Sequence, residues 1–221
     1  MAYQHRFVND QVADLTLGKI VCVGRNYADH AKELNNPIPT EPMLFIKPAT
    51  AAVVLEQPFS IPAELGSVHF ETEMSVLIGS KLTNASEDDA RKAIIGVGVG
   101  LDLTLRDLQD ALKSKGHPWE KAKAFDGACP LSAFVSPDKI DDLQNVQIRL
   151  RVNNDIRQDG NSASMLNQVI PLICYISRFF TLEPGDVVMT GTPAGVGPIN
   201  AGDQIQVELV GVLSAQTSVL D

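Results

Sequence analysis

Apolar and polar positions alternate with a period of two through most of this chain, in short runs that end at Gly, Pro or Asn. That pattern predicts a protein built mainly of short strands. The run over residues 68–76 is the most informative. Read as a strand, it places Val68, Phe70, Thr72, Met74 and Val76 on one face and His69, Glu71, Glu73 and Ser75 on the other. Residues 19–24 (KIVCVG) and 187–191 read as buried strands, and 43–48 as a strand whose last side chain before Pro48 is Lys47. Residues 96–104 (GVGVGLDLT) read as a strand with three glycines on one face, where another backbone or a ligand can approach closely. Residues 147–153 alternate and pass through an Asn153-Asn154 hairpin turn into 155–159, and strands over 203–210 and 212–220 close the chain.

A period near 3.6 appears in only a few places. Residues 28–34 read as two turns of helix, stopped by Asn35-Asn36-Pro37. Ser86, followed by Glu87, Asp88 and Asp89 and then Arg91 and Lys92, is a helix start with charges matched to the helix dipole. Residues 105–115 read as a helix ended by Gly116. Residues 165–180 carry Leu166, Val169, Ile170, Ile173, Ile176 and Phe180 as an apolar stripe serving the core, with Pro171 starting or kinking the helix. Pro37, Pro39 and Pro42 mark a lid-like loop, and residues 1–18 a lead-in with a possible edge strand.

At 221 residues, 44% of them hydrophobic, the chain is long enough for one large core, and one domain over 19–221 is expected. The net charge of −9 excludes nucleic acid and an anionic membrane as partners, but not a small anion met by local Arg and Lys. Three cysteines, Cys22, Cys129 and Cys174, without a CxxC spacing point to a reducing compartment. No apolar run reaches the length of a membrane span, so a soluble cytoplasmic protein is expected.

Glu71 and Glu73 on one strand face stand roughly 6.5 Å apart along the chain. Like charges that close repel unless they are solvated at a sheet edge or joined by a hard divalent cation, and both readings fit these residues. Asp102, on the glycine-bearing face of its own strand, is an acid in apolar surroundings and reads as a third carboxylate. His30 and Glu33 share a helix face, so the carboxylate can orient the imidazole and raise its basicity. Arg106 and Gln109 share a face just beyond Asp102, and Lys121 and Lys123 follow in a semi-apolar segment. Residues 192–198 form a glycine-rich loop able to offer N–H groups to an anion, without the Lys-Ser/Thr ending of a nucleotide-binding loop.

Taken together, Gly24-Arg25-Asn26-Tyr27 with His30 and Glu33, Glu71-x-Glu73, Leu101-Asp102-Leu103-Thr104 with Arg106-Asp107, Lys121-Ala122-Lys123, and Gly191-Thr192-Pro193-x-Gly195-Val196-Gly197 resemble the fumarylacetoacetate hydrolase family. The likeness is greatest to its small acylpyruvase and oxaloacetate-decarboxylase branch and runs from residue 19 to the C-terminus. It implies an α+β, mostly β fold: a mixed β-sandwich roll with a few short helices, assembled as a homodimer. It further implies Mg²⁺ or Mn²⁺ held by Glu71, Glu73 and Asp102, His30 and Glu33 as an acid/base pair on a lid, and Lys123 stabilising charge. Arg25, Tyr27, Lys47, Arg106, Gln109, Gly191 and Thr192 would bind the substrate, and His69 would be a supporting residue only.

The activity this implies is metal-dependent chemistry on small 2,4-dioxo or 2-oxo dicarboxylic acids through an enolate. Cleavage of the C3–C4 bond to give pyruvate is the first expectation. Loss of CO₂ from oxaloacetate and its keto–enol tautomerisation share that enolate. An isomerase or hydratase of 2-hydroxy-dienoates, and a 2-oxo-acid binding protein without turnover, are the other readings.

Overall fold

Seven short strands, most of them wholly apolar, form the central sheet, in the order β2 (Met43–Pro48), β1 (Lys19–Gly24), β11 (Val187–Met189), β5 (Thr72–Ile78), β6 (Ile94–Leu101), β8 (Cys129–Leu131) and β3 (Ala52–Val54). The computed structural model describes residues 3–220. Only the β1–β11 and β3–β8 pairings are parallel. β5 is the middle strand, with all seven residues buried, because both faces of the sheet are covered.

A four-stranded antiparallel sheet, β10 (Asp155–Asn161), β9 (Gln147–Val152), β13 (Gln204–Leu209) and β14 (Leu213–Ser218), packs on one face through β9 against β5 and β13 against β6. Met74, Val76, Val97 and Val99 of the central sheet meet Ile148, Leu150 and Val207 there, joined by Ile170 and Ile173 of helix α5 (Val169–Phe179). The opposite face buries Ile20, Cys22, Leu77, Phe134 and Met189. A three-stranded ribbon, β12 (Gly197–Pro198), β4 (Val68–Phe70) and β7 (Thr104–Leu105), completes a mixed, mostly β fold.

The helices are short: α1 (Ala28–Glu33), α2 (Glu87–Ala93), α3 (Arg106–Ser114) and α4 (Glu120–Lys123), besides α5. Ser86 caps α2 in a capping box closed by Asp89. Asn153 and Asn154 both take positive φ, at 51° and 73°, as a two-residue hairpin turn requires.

Two features differ from the pattern reading. Residues 68–76 are two strands: the chain leaves the ribbon at Glu71 and enters the central sheet at Thr72. The solvated edge-strand alternative for the acidic pair is therefore wrong, since the pair sits in the interior. Among its described residues the lead-in holds no strand, only single bridges at Arg6–Val12 and Phe7–Phe134, and His5 is buried with its Nε2 2.8 Å from Gly185 O. No helix among the described residues is long and apolar enough to cross a membrane. All three cysteines are buried and free.

Candidate active site

β5 and β6 pair along their whole length, and both chains then bend out of the central sheet into the ribbon, where β4 pairs with β7. Glu71 sits at one bend and Asp102 at the other, and the Asp102 N–H donates to Glu71 O at 2.8 Å. Glu73 lies opposite Gly100, whose missing side chain leaves its place to Leu131 and Met189. Paired bending is thus what brings three carboxylates, separated by up to thirty residues of chain, to one point. One oxygen from each lies within 4.8 Å of the others, and all three residues are buried.

Cations surround this group. Lys123 Nζ stands 2.9 Å from Glu71 Oε2 and 2.7 Å from Asp102 Oδ2, and Arg106 Nη2 donates to Glu71 Oε1. Lys47 Nζ lies 2.8 Å from Asp102 Oδ1 as an ion pair, while its hydrogen bonds go to Lys123 O and to Ala128 O at 3.0 Å. Glu73 has a single hydrogen bond, from the Gly191 N–H to Oε2 at 2.7 Å.

These environments drive the two glutamates apart. Burial alone would raise the Glu71 carboxyl, but Lys123 and Arg106 outweigh it and hold it well below the usual carboxylate range. Burial and then the charge of Asp102 push Glu73 well above that range, against the Gly191 N–H. Lys123 would be lowered by burial, yet Asp102 and Glu71 hold it above the ordinary lysine range.

The residues fit a hard divalent cation. Three convergent carboxylate oxygens are the donor set such ions select. Asp102 Oδ1 is buried and meets the Lys47 ammonium at 2.8 Å outside hydrogen-bond alignment, so a lone pair is left for a ligand. A cation would also offset the burial and the Asp102 charge that push the Glu73 carboxyl up.

A small cavity opens over the carboxylates. Its walls are Gly24, Arg25, His30, Leu34 and Asn36 on the α1 side, Phe45 and Trp119, and Arg106, Gln109 and Lys113 from successive turns of α3. Glu71 and Lys123 form its floor. The volume is about 30 Å³, room for about two water molecules. His30 is buried, with Nδ1 3.5 Å from Glu33 Oε2, just beyond hydrogen-bond length. Glu33 is itself anchored: both its oxygens lie 3.1 Å from the Gly195 N. Gly195 takes φ +100°, and a Cβ there would stand 2.0 Å from Arg157 O, so only glycine can offer that N–H.

Of the candidates read from sequence, Arg25, His30, Glu71, Arg106, Gln109 and Lys123 face the cavity, with Glu73 and Asp102 beneath and Glu33 behind His30. Four others lie elsewhere. Lys47 is fully buried behind Asp102 rather than facing the cavity. Gly191 holds Glu73 through its backbone, and Thr192 accepts a hydrogen bond from Gln158 Nε2 at 2.8 Å. Tyr27 lines a separate hollow with Pro193 and Ala194, its hydroxyl buried without a hydrogen bond. His69 is part-buried, outside the cavity lining.

Sequence reasoning missed Phe45, Trp119, Lys113 and Gln158. Lys113 was accessible, since Arg106, Gln109 and Lys113 follow the i, i+3, i+7 spacing of one helix face. The two aromatics come from different elements, with ring centroids 6.3 Å apart, and no local pattern joins them.

Residues 19–220 match the model of the fumarylacetoacetate (FAA) hydrolase C-terminal family. The chain is 52% identical over 210 residues to the oxaloacetate tautomerase YcgM of Escherichia coli K12, covering 95% of this chain and 96% of that protein. It is 44% identical over 196 residues to the mitochondrial oxaloacetate decarboxylase of Dictyostelium discoideum, covering 88% and 89%. The fumarylpyruvate hydrolase of Pseudomonas aeruginosa, solved with Mn²⁺ and pyruvate, superposes with a TM-score of 0.92 at 32% identity, covering 99% of this chain and 96% of that one.

Proposed function

The chain belongs to the fumarylacetoacetate hydrolase family, and on that premise we propose that it is a divalent-metal-dependent enzyme of small 2-oxo dicarboxylic acids that interconverts the keto and enol forms of oxaloacetate. The observation that carries this reading is the convergence of Glu71, Glu73 and Asp102 under the cavity that His30 enters. Likeness to an oxaloacetate tautomerase at 52% identity, over nearly the whole of both chains, supports the choice of substrate and reaction. Mg²⁺ or Mn²⁺ would be held by the three carboxylates, and when bound it supplies Lewis acidity that lowers the cost of negative charge on the 2-oxo oxygen.

The chain's own residues do the rest. Arg25, at the mouth, carries no ion pair among the described residues and meets the charge of the incoming acid. Lys123 faces the same point from the floor and adds positive charge in a water-poor site, where it acts at low dielectric. His30 removes the proton from C3 and delivers it to the 2-oxo oxygen to give the enol, the reverse transfer restores the keto form, and Glu33, pinned by Gly195, keeps the imidazole oriented for it. His30, Leu34 and Asn36 wall the cavity from the α1 side, so closure of that segment over the substrate would exclude water.

Exclusion of water favours proton movement over hydrolysis. A second reading, cleavage of the C3–C4 bond of an acylpyruvate, has His30 take its proton from a water admitted beside the substrate. The fold-wide likeness to a fumarylpyruvate hydrolase supports it. Proton NMR of Mn²⁺- or Mg²⁺-treated protein decides, with oxaloacetate in one tube and acetylpyruvate in another. Keto and enol oxaloacetate equilibrating faster than in buffer, without pyruvate, is the expected result. Pyruvate plus acetate from acetylpyruvate would install the second reading, and no change in either tube would refute both.

A further inference from the structure

Gln158 lies on β10, outside every motif that points to the site, yet it is 1% exposed and all its polar atoms are used within the site's framework. Its Oε1 accepts the Thr72 N–H at 2.9 Å. Its Nε2 donates to Thr192 Oγ1 and to Pro193 O, both at 2.8 Å. The pairing of β10 with β9 shifts register between Ile156 and Gln158. A bulge of this kind re-aims the side chains that follow it, and here one of them is carried inward.

The place it reaches is specific. The peptide group between Glu71 and Thr72 lies where the chain crosses from ribbon to central sheet. Its carbonyl accepts the Asp102 N–H and its N–H donates to Gln158. One peptide group therefore links two of the carboxylate residues to the Gln158 amide, and the third, Glu73, follows one residue on. On the other side, Gln158 holds Thr192 and Pro193, next to the Gly191 N–H that orients the Glu73 carboxylate. Gly160, two residues on, makes room for Pro193, since a Cβ there would stand 2.4 Å from its ring.

We propose that Gln158 is a positioning residue of the carboxylate site, setting the Glu71-Thr72-Glu73 backbone against the Gly191-Thr192-Pro193 loop so that the three carboxylates converge. It touches none of the reacting atoms and acts through the two backbones it joins. An amide is the side chain this task needs: one acceptor for an N–H and a donor group for a carbonyl and a hydroxyl, at the reach of a glutamine. A buried amide that links two segments fixes their spacing because any separation leaves polar groups unpaired.

The test uses Mn²⁺ alone, titrated calorimetrically into full-length wild type, Gln158→Met and Gln158→Glu. Met keeps the length and removes every hydrogen bond. Glu keeps the acceptor for Thr72 but turns a carboxylate oxygen toward Pro193 O. Supporting partners of metal ligands change metal affinity by about 10- to 100-fold. The expected result is a Mn²⁺ dissociation constant raised at least about tenfold in both folded variants. Wild-type affinity in either folded variant overturns the proposal, and if Gln158→Met does not fold, Gln158→Glu decides alone. A thermal melt separates a merely structural role, which would lower the melting temperature and leave Mn²⁺ affinity of the folded protein unchanged. The inference rests on the cation reading of the three carboxylates: wild type that binds no Mn²⁺ refutes that reading, whereas wild-type binding matched by the variants refutes only the role of Gln158.

Discussion

Replacing Lys47 with Met separates two roles that one lysine could play. As a substrate contact, its loss would raise KM and leave the fold intact. The structure instead buries the whole side chain, 2.8 Å from Asp102 Oδ1 and bonded to two backbone carbonyls. Methionine matches the stem but leaves Asp102 with one counter-ion fewer and takes the donor from the Lys123 carbonyl, while the Ala128 carbonyl keeps the Leu103 N–H at 3.0 Å. Removing one partner of a buried ion pair costs about 3–5 kcal/mol. A chain of this size moves about 2–4 °C in melting temperature per kcal/mol, so a drop of about 6–20 °C is expected in metal-free protein. Mn²⁺ restores positive charge beside Asp102, so the drop should shrink in loaded protein. Calorimetric melts of both forms, with kcat and KM for oxaloacetate at a temperature where the variant is folded, test this. A melting temperature within about 2 °C of wild type, with only KM raised, would refute the buried-support role and return Lys47 to the substrate.

Three further outcomes follow from the site. His30→Asn should lower turnover by about 10²–10⁴ with Mn²⁺ affinity unchanged, and Glu33→Gln should act in the same direction; parallel loss of Mn²⁺ binding would place His30 among the ligands instead. Because Glu73 is held above its ordinary value of 4.5 in the folded chain, its contribution to metal-free stability is present below about pH 4.5 and is lost as pH rises through the raised value. Metal-free Glu73→Gln, neutral at every pH, should therefore gain on wild type as pH rises in melts from about pH 5 to 8, and a constant difference would contradict the shift. Gly195→Ala places a Cβ 2.0 Å from Arg157 O at a φ of +100°, and strain of about 1–3 kcal/mol should lower the melting temperature and, by moving the anchor of Glu33, turnover as well; wild-type values of both would show that the loop yields freely.

Much of this molecule is written in local pattern. The runs at 19–24, 43–48 and 147–152, the Ser86 cap and the Asn-Asn turn each carry their own physical cause within a few residues, and each formed as read. The three acids stood out because a carboxylate on an apolar strand is costly unless something compensates it, while the choice of a cation over solvation came from the family resemblance. What local pattern cannot carry is the crossing at Glu71, where alternation continues unbroken while the hydrogen-bonding partner changes from β7 to β6. One-turn α4, which delivers Lys123, is too short for any periodicity to register. Lys47 misled for a related reason: a lysine ending a strand looks like a surface charge turned toward a ligand, and only the packed sheet shows Asp102 beside it. Gln158 left no signal, because a glutamine on an otherwise exposed hairpin strand reads as an ordinary surface residue.

The glycine file of β6 has a consequence for how the chain finds this arrangement. Gly96, Gly98 and Gly100 alternate with Val97 and Val99, so sliding β6 by two residues along β5 sets glycine where glycine was and valine where valine was. Between its ends the strand would scarcely register the error, for slips of two preserve the buried face while slips of one invert it, but at the place of Gly96 an incoming side chain would meet Phe134, at 2.9 Å from a Cβ. Asp102, however, would travel about 6.6 Å, two strand rises, away from Glu71 and Glu73. Against β5 the register is marked by the irregularity at Leu77/Ile78 and by the Asp102 N–H on Glu71 O, and on its other side β6 is held by the Val97–Val135 bridge and the Val99 N–H on Ser132 Oγ. A population misfolded in this way would be compact, cooperative in melting and silent in function, so the fraction of molecules able to bind Mn²⁺ reports the fidelity of folding as well as the integrity of the site.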